Sequence, residues 1–150
     1  LSLMAGVELD RRTRGAYVDD SFQTNCPGIF AAGNVLHVHD LVDYVSLEAE
    51  EMANAATAYI LAGKLPEANI AVLPGDNVGY VVPQKVSGAR DVQISLRVRK
   101  PLRNCVISVT QGDYTVVTRK FHKAVPSEMI KIKIPADRIK PDENIEVKAV

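Results

Sequence analysis

The chain has 150 residues, 47% of them hydrophobic and 24% charged, with 18 Lys+Arg balanced by 18 Asp+Glu and no Trp. That length can bury a real core in one domain or two small ones. No apolar run approaches the ~20 residues that span a bilayer, so no membrane span is expected.

The opening residues, LSLMAGVELDRR, lack the basic-then-apolar order of a signal peptide, which points to a cytoplasmic chain. Apolar sequence begins without a leading Met, as in a piece cut from a longer protein. The two cysteines, Cys26 and Cys105, form no CxxC. Neither a disulfide framework nor a cysteine-based zinc site is indicated, and both read as structural thiols.

The zero net charge hides an asymmetry. Residues 1–74 hold 4 Lys+Arg against 10 Asp+Glu, and residues 75–150 hold 14 against 8, so the halves carry −6 and +6. Two modules, or two faces, follow from such a split.

In chain order, AYVDDSFQTNCPGIFAAGN predicts a short strand at 16–18, a turn at 25–28 around Pro27-Gly28, and a buried strand at 29–32. A His-rich loop follows. Residues 43–62, DYVSLEAEEMANAATAYILA, form an Ala-rich helical pattern with Asp40 and Asp43 as candidate N-caps, Gly63 at C′ and Pro66 as a stop. Val45, Ala49, Met52, Ala53, Ala56 and Ile60 recur at steps of three and four and predict the buried stripe.

Residues 65–77, LPEANIAVLPGDN, read as a connector that contains the boundary. Beyond it the period becomes two: Val92, Ile94, Leu96 and Val98 face one way in DVQISLRVR, and Gln93, Ser95, Arg97 and Arg99 the other. NCVISVT, YTVVTRKF, MIKIKI and NIEVKA continue the pattern, with QGD at 111–113 as a hairpin turn. About six strands at this spacing predict a small antiparallel β-sandwich over 75–150, immunoglobulin-like in outline.

The stretch GIFAAGN, 28–34, carries the chemistry. A strand ending in Gly lets a ligand approach the backbone, the polar side chain after it can bond a hydroxyl, and a following helix N-terminus favours an anion. A tight strand-to-helix connection with no ligand explains the same residues.

TNCPGIFAAGN, 24–34, resembles the second FAD motif of the pyridine nucleotide-disulfide oxidoreductase family, T-x-x-x-G-I-F-A-A-G-D, and GAYVDDSFQT, 15–24, is similar to the segment leading into it. NVLHVHDLVDYVSLEAE, 34–50, resembles a bacterial and archaeal subgroup of FAD-dependent NAD(P) oxidoreductases whose genes accompany glycerol-3-phosphate dehydrogenase-like partners. The resemblance spans 15–63. It implies an α+β chain: residues 1–74 as the C-terminal tail of an FAD-binding α/β domain, and residues 75–150 as an added β-rich domain.

By position it places Gly33 and Asn34 at the ribityl chain, and Asp43, Tyr44 and Val45 near the flavin O2/N1 edge. Asn34 stands where the family has Asp, which keeps an acceptor but removes a charge. The loop 35–42 is about one residue longer than in thioredoxin-reductase-like members. The resemblance implies FAD as cofactor, NAD(P) bound outside this segment, and a partner subunit as one possible electron acceptor.

No GxGxxG occurs, so the pyrophosphate-binding turns of both nucleotides are missing. This chain alone is therefore expected to be inactive, and no catalytic residue is assigned. The rival reading is a non-enzymatic interaction module whose β domain docks a partner protein. A severed domain tail would also expose apolar surface that a homo-oligomer could cover.

His37-x-His39-Asp40 could begin a metal site, but no third ligand follows at convincing spacing, so no metal is expected and loop packing is preferred. Arg97, Arg99, Lys100, Arg103, Arg119, Lys120 and Lys123 could gather against nucleic acid. With few aromatics and no motif, a solvated sandwich face is preferred and no nucleic acid is expected.

Overall fold

The Ala-rich stretch forms one helix, α1, Val42–Ala62, closed by Gly63 in the left-handed conformation (φ 73°), whose N–H donates to the Tyr59 carbonyl. The chain is described here from a computed structural model covering all 150 residues. Neither Asp40 nor Asp43 caps the helix. The N-cap is Leu41, in extended conformation and with no side-chain cap bond, and Asp43 lies in the first turn, where its charge suits the helix dipole. No helix is long and apolar enough to cross a membrane.

The expected stripe of α1 is rotated. Glu48 and Ala55 are its buried residues, with Val45, Ala49, Met52, Ala56 and Tyr59 half-buried, whereas Ala53 and Ile60 are exposed. Val45, Glu48, Met52, Ala55 and Tyr59 follow steps of three and four, so the period holds. A reading by hydrophobicity alone displaced the face, because its centre is a carboxylate.

The chain divides into two units, residues 1–67 and 68–150. The first contains α1 and a set of turns joined by single bridges, Leu9 to Ala16, Val18 to Thr24 and Gln23 to Phe30. The strands expected at 16–18 and 29–32 are therefore isolated bridges, and Ile29 is exposed. Every strand of the structure lies in the second unit, so these segments have no sheet to extend.

The second unit holds β1 Ile70–Pro74, β2 Val78–Val82, β3 Lys85–Val86, β4 Val92–Val98, β5 Leu102–Gln111, β6 Tyr114–Ala124, β7 Ile130–Ile134 and β8 Ile145–Ala149. They form a five-stranded sheet, β3-β1-β8-β5-β6, and a three-stranded sheet, β2-β4-β7. Residues from both sheets build one core, among them Ile94, Leu96, Ile107, Ile132 and Ile145. The architecture is α+β, and it differs from the expected sandwich in two respects.

First, eight strands replace six. The expected connector contains β1, whose Ile70 and Val72 are buried; its prolines bracket the strand, and Pro74 is the last residue, where the missing N–H is tolerated. The second unit thus starts at residue 68, ahead of the expected 75.

Second, the sheet is not wholly antiparallel. β1 runs parallel to β8, with Val72 opposite Ile145, while its other neighbour β3 is antiparallel. The alternation of β4 is kept except at Ser95, which is buried. The turn at Gln111–Asp113 joins β5 to β6, with Gly112 at φ 52°.

The cations of this unit do not share a face. Arg97, on the three-stranded sheet, donates to the Tyr80 hydroxyl and the Pro126 carbonyl, and Arg99 to the Val78 carbonyl. Arg103, Arg119, Lys120 and Lys123 lie on the β5–β6 pair, where Arg103 stands opposite Lys123. Because β6 is a sheet edge, its exposed Arg119, Lys120 and Lys123 also oppose edge-to-edge pairing with another chain.

Candidate functional site

The first unit concentrates its polar burial in one place. Residues Gly33–Val35 form a single 3₁₀ turn, and the Gly33 carbonyl accepts from the N–H groups of Leu36 (2.9 Å) and His37 (3.2 Å). This folds the loop back so that Leu36 is fully buried. Its seat is Gly15, whose missing side chain would stand 1.9 Å from the Leu36 carbonyl oxygen. Gly15 therefore admits the loop backbone that carries the histidines.

From α1, Glu48 reaches into this loop. One carboxylate oxygen accepts from the Gly33 N–H at 2.7 Å and lies 3.1 Å from His39 Nε2; the other lies 2.8 Å from His37 Nε2. The imidazole rings are 4.4 Å apart between centroids. His37 is 2% exposed and Glu48 8%, so the group is largely removed from water.

Burial pushes the Glu48 carboxyl up. The hydrogen bond and charge of His37, the Gly33 N–H and the charge of His39 outweigh it, and the carboxyl is held below its ordinary value. An ionised carboxylate only accepts, so each Nε2 facing it is the donor nitrogen.

Of the expected cofactor residues, Gly33 and Val45 meet. Gly33 is buried at φ 72°, and a side chain on it would come within 3.1 Å of Val45 Cγ1. The Gly33-Asn34 turn is thereby brought against the first turns of α1. Asn34 is exposed; its Oδ1 accepts from the His39 N–H at 3.1 Å and keeps a second lone pair. Asp43 is exposed and Tyr44 half-buried, both at the helix start.

Glu48 was missed by sequence reasoning. It lies eleven residues past His37 and nine past His39, a separation no short motif marks. The available signal was a charged residue at the step between Val45 and Met52 on the apolar face of a helix. Asp40, the carboxylate next to the histidines in sequence, is exposed. Neither cysteine belongs to this site; both are free thiols.

No protein-family model, curated protein or solved structure matches this chain.

Proposed function

We propose that residues 1–67 supply the flavin end of an FAD site in a flavin-dependent oxidoreductase that moves electrons between NAD(P)H and an acceptor or partner subunit. The observation that carries this reading is the packing of Gly33 against Val45, which sets the Asn34 turn beside a helix start that has no side-chain cap. Asn34 would bond a ribityl hydroxyl, and the first N–H groups of α1 would face the negative charge that builds at N1 and O2 when flavin is reduced. The redox chemistry belongs to the flavin when bound; this segment orients it and supplies fixed dipoles.

Exposed apolar side chains in the same stretch, Val35, Val38, Leu41 and Val42, suit a surface that the cofactor or further polypeptide covers. The nucleotide-phosphate sites belong to sequence with GxGxxG turns, which this segment lacks. The protein containing this segment together with such turns should purify yellow, with a flavin spectrum. Asn34→Leu should weaken FAD retention. A colourless protein after reconstitution with FAD would sink the reading, and unchanged retention in Asn34→Leu would remove Asn34 from it.

A specific observation favours a second role for residues 68–150. The unit carries 14 Lys+Arg against 8 Asp+Glu, and a concave patch on β5–β6, lined by Asn104, Cys105, Val106, Lys120, Phe121 and His122, presents one lysine and one histidine and no carboxylate. An acidic surface of a partner subunit fits that chemistry. Pull-down by the isolated unit that weakens steeply with added salt is the expected result.

A further inference from the structure

Two imidazoles and one carboxylate that converge from a loop and a helix are a donor set for a transition-metal ion. Imidazole nitrogen and carboxylate oxygen both suit Zn²⁺ and Co²⁺. The ligand atoms of His37, His39 and Glu48 all lie within 4.8 Å of one another. We propose that His37 Nε2, His39 Nε2 and the Glu48 carboxylate bind one zinc-type divalent ion.

The donors converge but stand wider apart than in a filled site. Bonds of about 2.0–2.1 Å in a tetrahedral shell space neighbouring donors about 3.3 Å apart. The contacts of 2.8 and 3.1 Å run to different Glu48 oxygens and open by a few tenths of an ångström, while the widest donor separation, up to 4.8 Å, closes by about 1.5 Å, as an ion takes the place of the two bonding protons. Each imidazole would then carry its proton on Nδ1 and turn its Nε2 lone pair to the metal.

The donors are also held from behind. The His37 backbone N–H is tied to the Gly33 carbonyl and the His39 N–H to Asn34 Oδ1. The Gly33 N–H fixes one Glu48 oxygen, the kind of supporting bond that orients a metal-ligating carboxylate. The charge of −6 on residues 1–67 favours a cation, and the proposal stands whether or not the flavin reading does.

The bland alternative is a closed hydrogen-bond cluster that never takes a metal, and a titration separates the two. The chain is stripped with EDTA and titrated with Co²⁺, read by visible absorption and calorimetry, and then with Zn²⁺ in competition. One equivalent of Co²⁺ per chain with the bands of a four-coordinate ion, displaced by one equivalent of Zn²⁺, is the expected result. His39→Gln and Glu48→Gln should each weaken binding by at least on the order of tenfold, the scale on which even supporting residues act. Cys26→Ser, Cys105→Ser and His122→Gln should leave it unchanged.

Because a variant could lose its fold, imidazole ¹⁵N NMR of the unmodified chain gives a second readout. Zn²⁺ should move the Nε2 resonances of His37 and His39 from the protonated to the metal-bound range. No saturable, stoichiometric metal binding by the folded chain would overturn the proposal. So would binding that survives both His39→Gln and Glu48→Gln, or Nε2 resonances that Zn²⁺ leaves in place.

Discussion

Glu48 lies eleven residues beyond His37 in the chain, yet its carboxylate stands 2.8 Å from the His37 imidazole and, through its other oxygen, takes the Gly33 N–H at 2.7 Å. One side chain thereby ties the 3₁₀ turn, the His-rich loop and the helix together. Removing it strands several buried donors at once, and each costs about 1–3 kcal/mol. In EDTA, Glu48→Ala is expected to destabilise the first unit by at least roughly 2 kcal/mol. Glu48→Gln, which keeps a carbonyl acceptor for Gly33, should cost less. Urea unfolding followed by helix circular dichroism measures both, and equal losses in the two variants would contradict the assignment.

Gly33 sits at φ 72° with Val45 Cγ1 3.1 Å from where a Cβ would be. Gly33→Ala incurs backbone strain of about 1–2 kcal/mol and a steric term as well. Adding Val45→Ala should recover only the steric term. A double-mutant cycle on thermal unfolding reads this as a positive coupling. Full additivity of the two changes would show that Gly33 and Val45 do not press on one another.

Residues 68–150 contain every member of the main apolar core. Expressed alone, they are expected to give a β-type circular dichroism spectrum and one cooperative unfolding transition. Leu96, fully buried in β4, tests where the stability sits: Leu96→Ala should cost about 2–5 kcal/mol. An unfolded fragment would show that the core depends on residues 1–67.

Asp91 accepts from Lys133 Nζ at 2.8 Å and from the Ala136 N–H at 3.0 Å, and these bonds, the first of them foremost, hold its carboxyl below the ordinary value of 3.8. A lowered folded-state value means that the contribution is present above the unfolded value and lost as pH falls through the folded one. The Asp91 carboxyl resonance should therefore titrate below 3.8, and its midpoint should rise in Lys133→Gln. The group is solvent-facing, so a small change in stability is expected. An unmoved midpoint in Lys133→Gln would remove the ion pair as the cause.

The thiols should separate by access. Cys105 is 3% exposed within the β core, whereas Cys26 is half-buried, with Sγ 3.4 Å from the Ala5 carbonyl. A thiol reagent is expected to label Cys26 in the folded chain and Cys105 only as the second unit opens. Mass spectrometry of peptides from a partial reaction reports the order.

What the sequence determined by itself is what short-range chemistry dictates. Alternation over 92–98 placed Ile94, Leu96 and Val98 inside because successive strand side chains face opposite ways, and Gly63 ended α1 because it can take a positive φ without a Cβ clash. The charge split between the halves was equally plain and follows the division into units.

Tertiary structure alone decided which residues meet across long separations. That β1 runs parallel to β8 depends on residues some seventy positions away, and a connector and a strand look alike until the partner strand is in place. The inward face of α1 turned to Glu48 because the loop opposite it offers N–H donors, so the helix buries a charge where periodicity alone would put an apolar side chain. The histidines were visible as a pair in an extended stretch, but their third partner became a neighbour only when Gly15 let the loop backbone settle and α1 packed against it. Hydrogen-bonding demand in a buried loop is a property of the folded arrangement, and for that reason its one trace in the sequence is a carboxylate at an apolar step of α1, with nothing to name its partners.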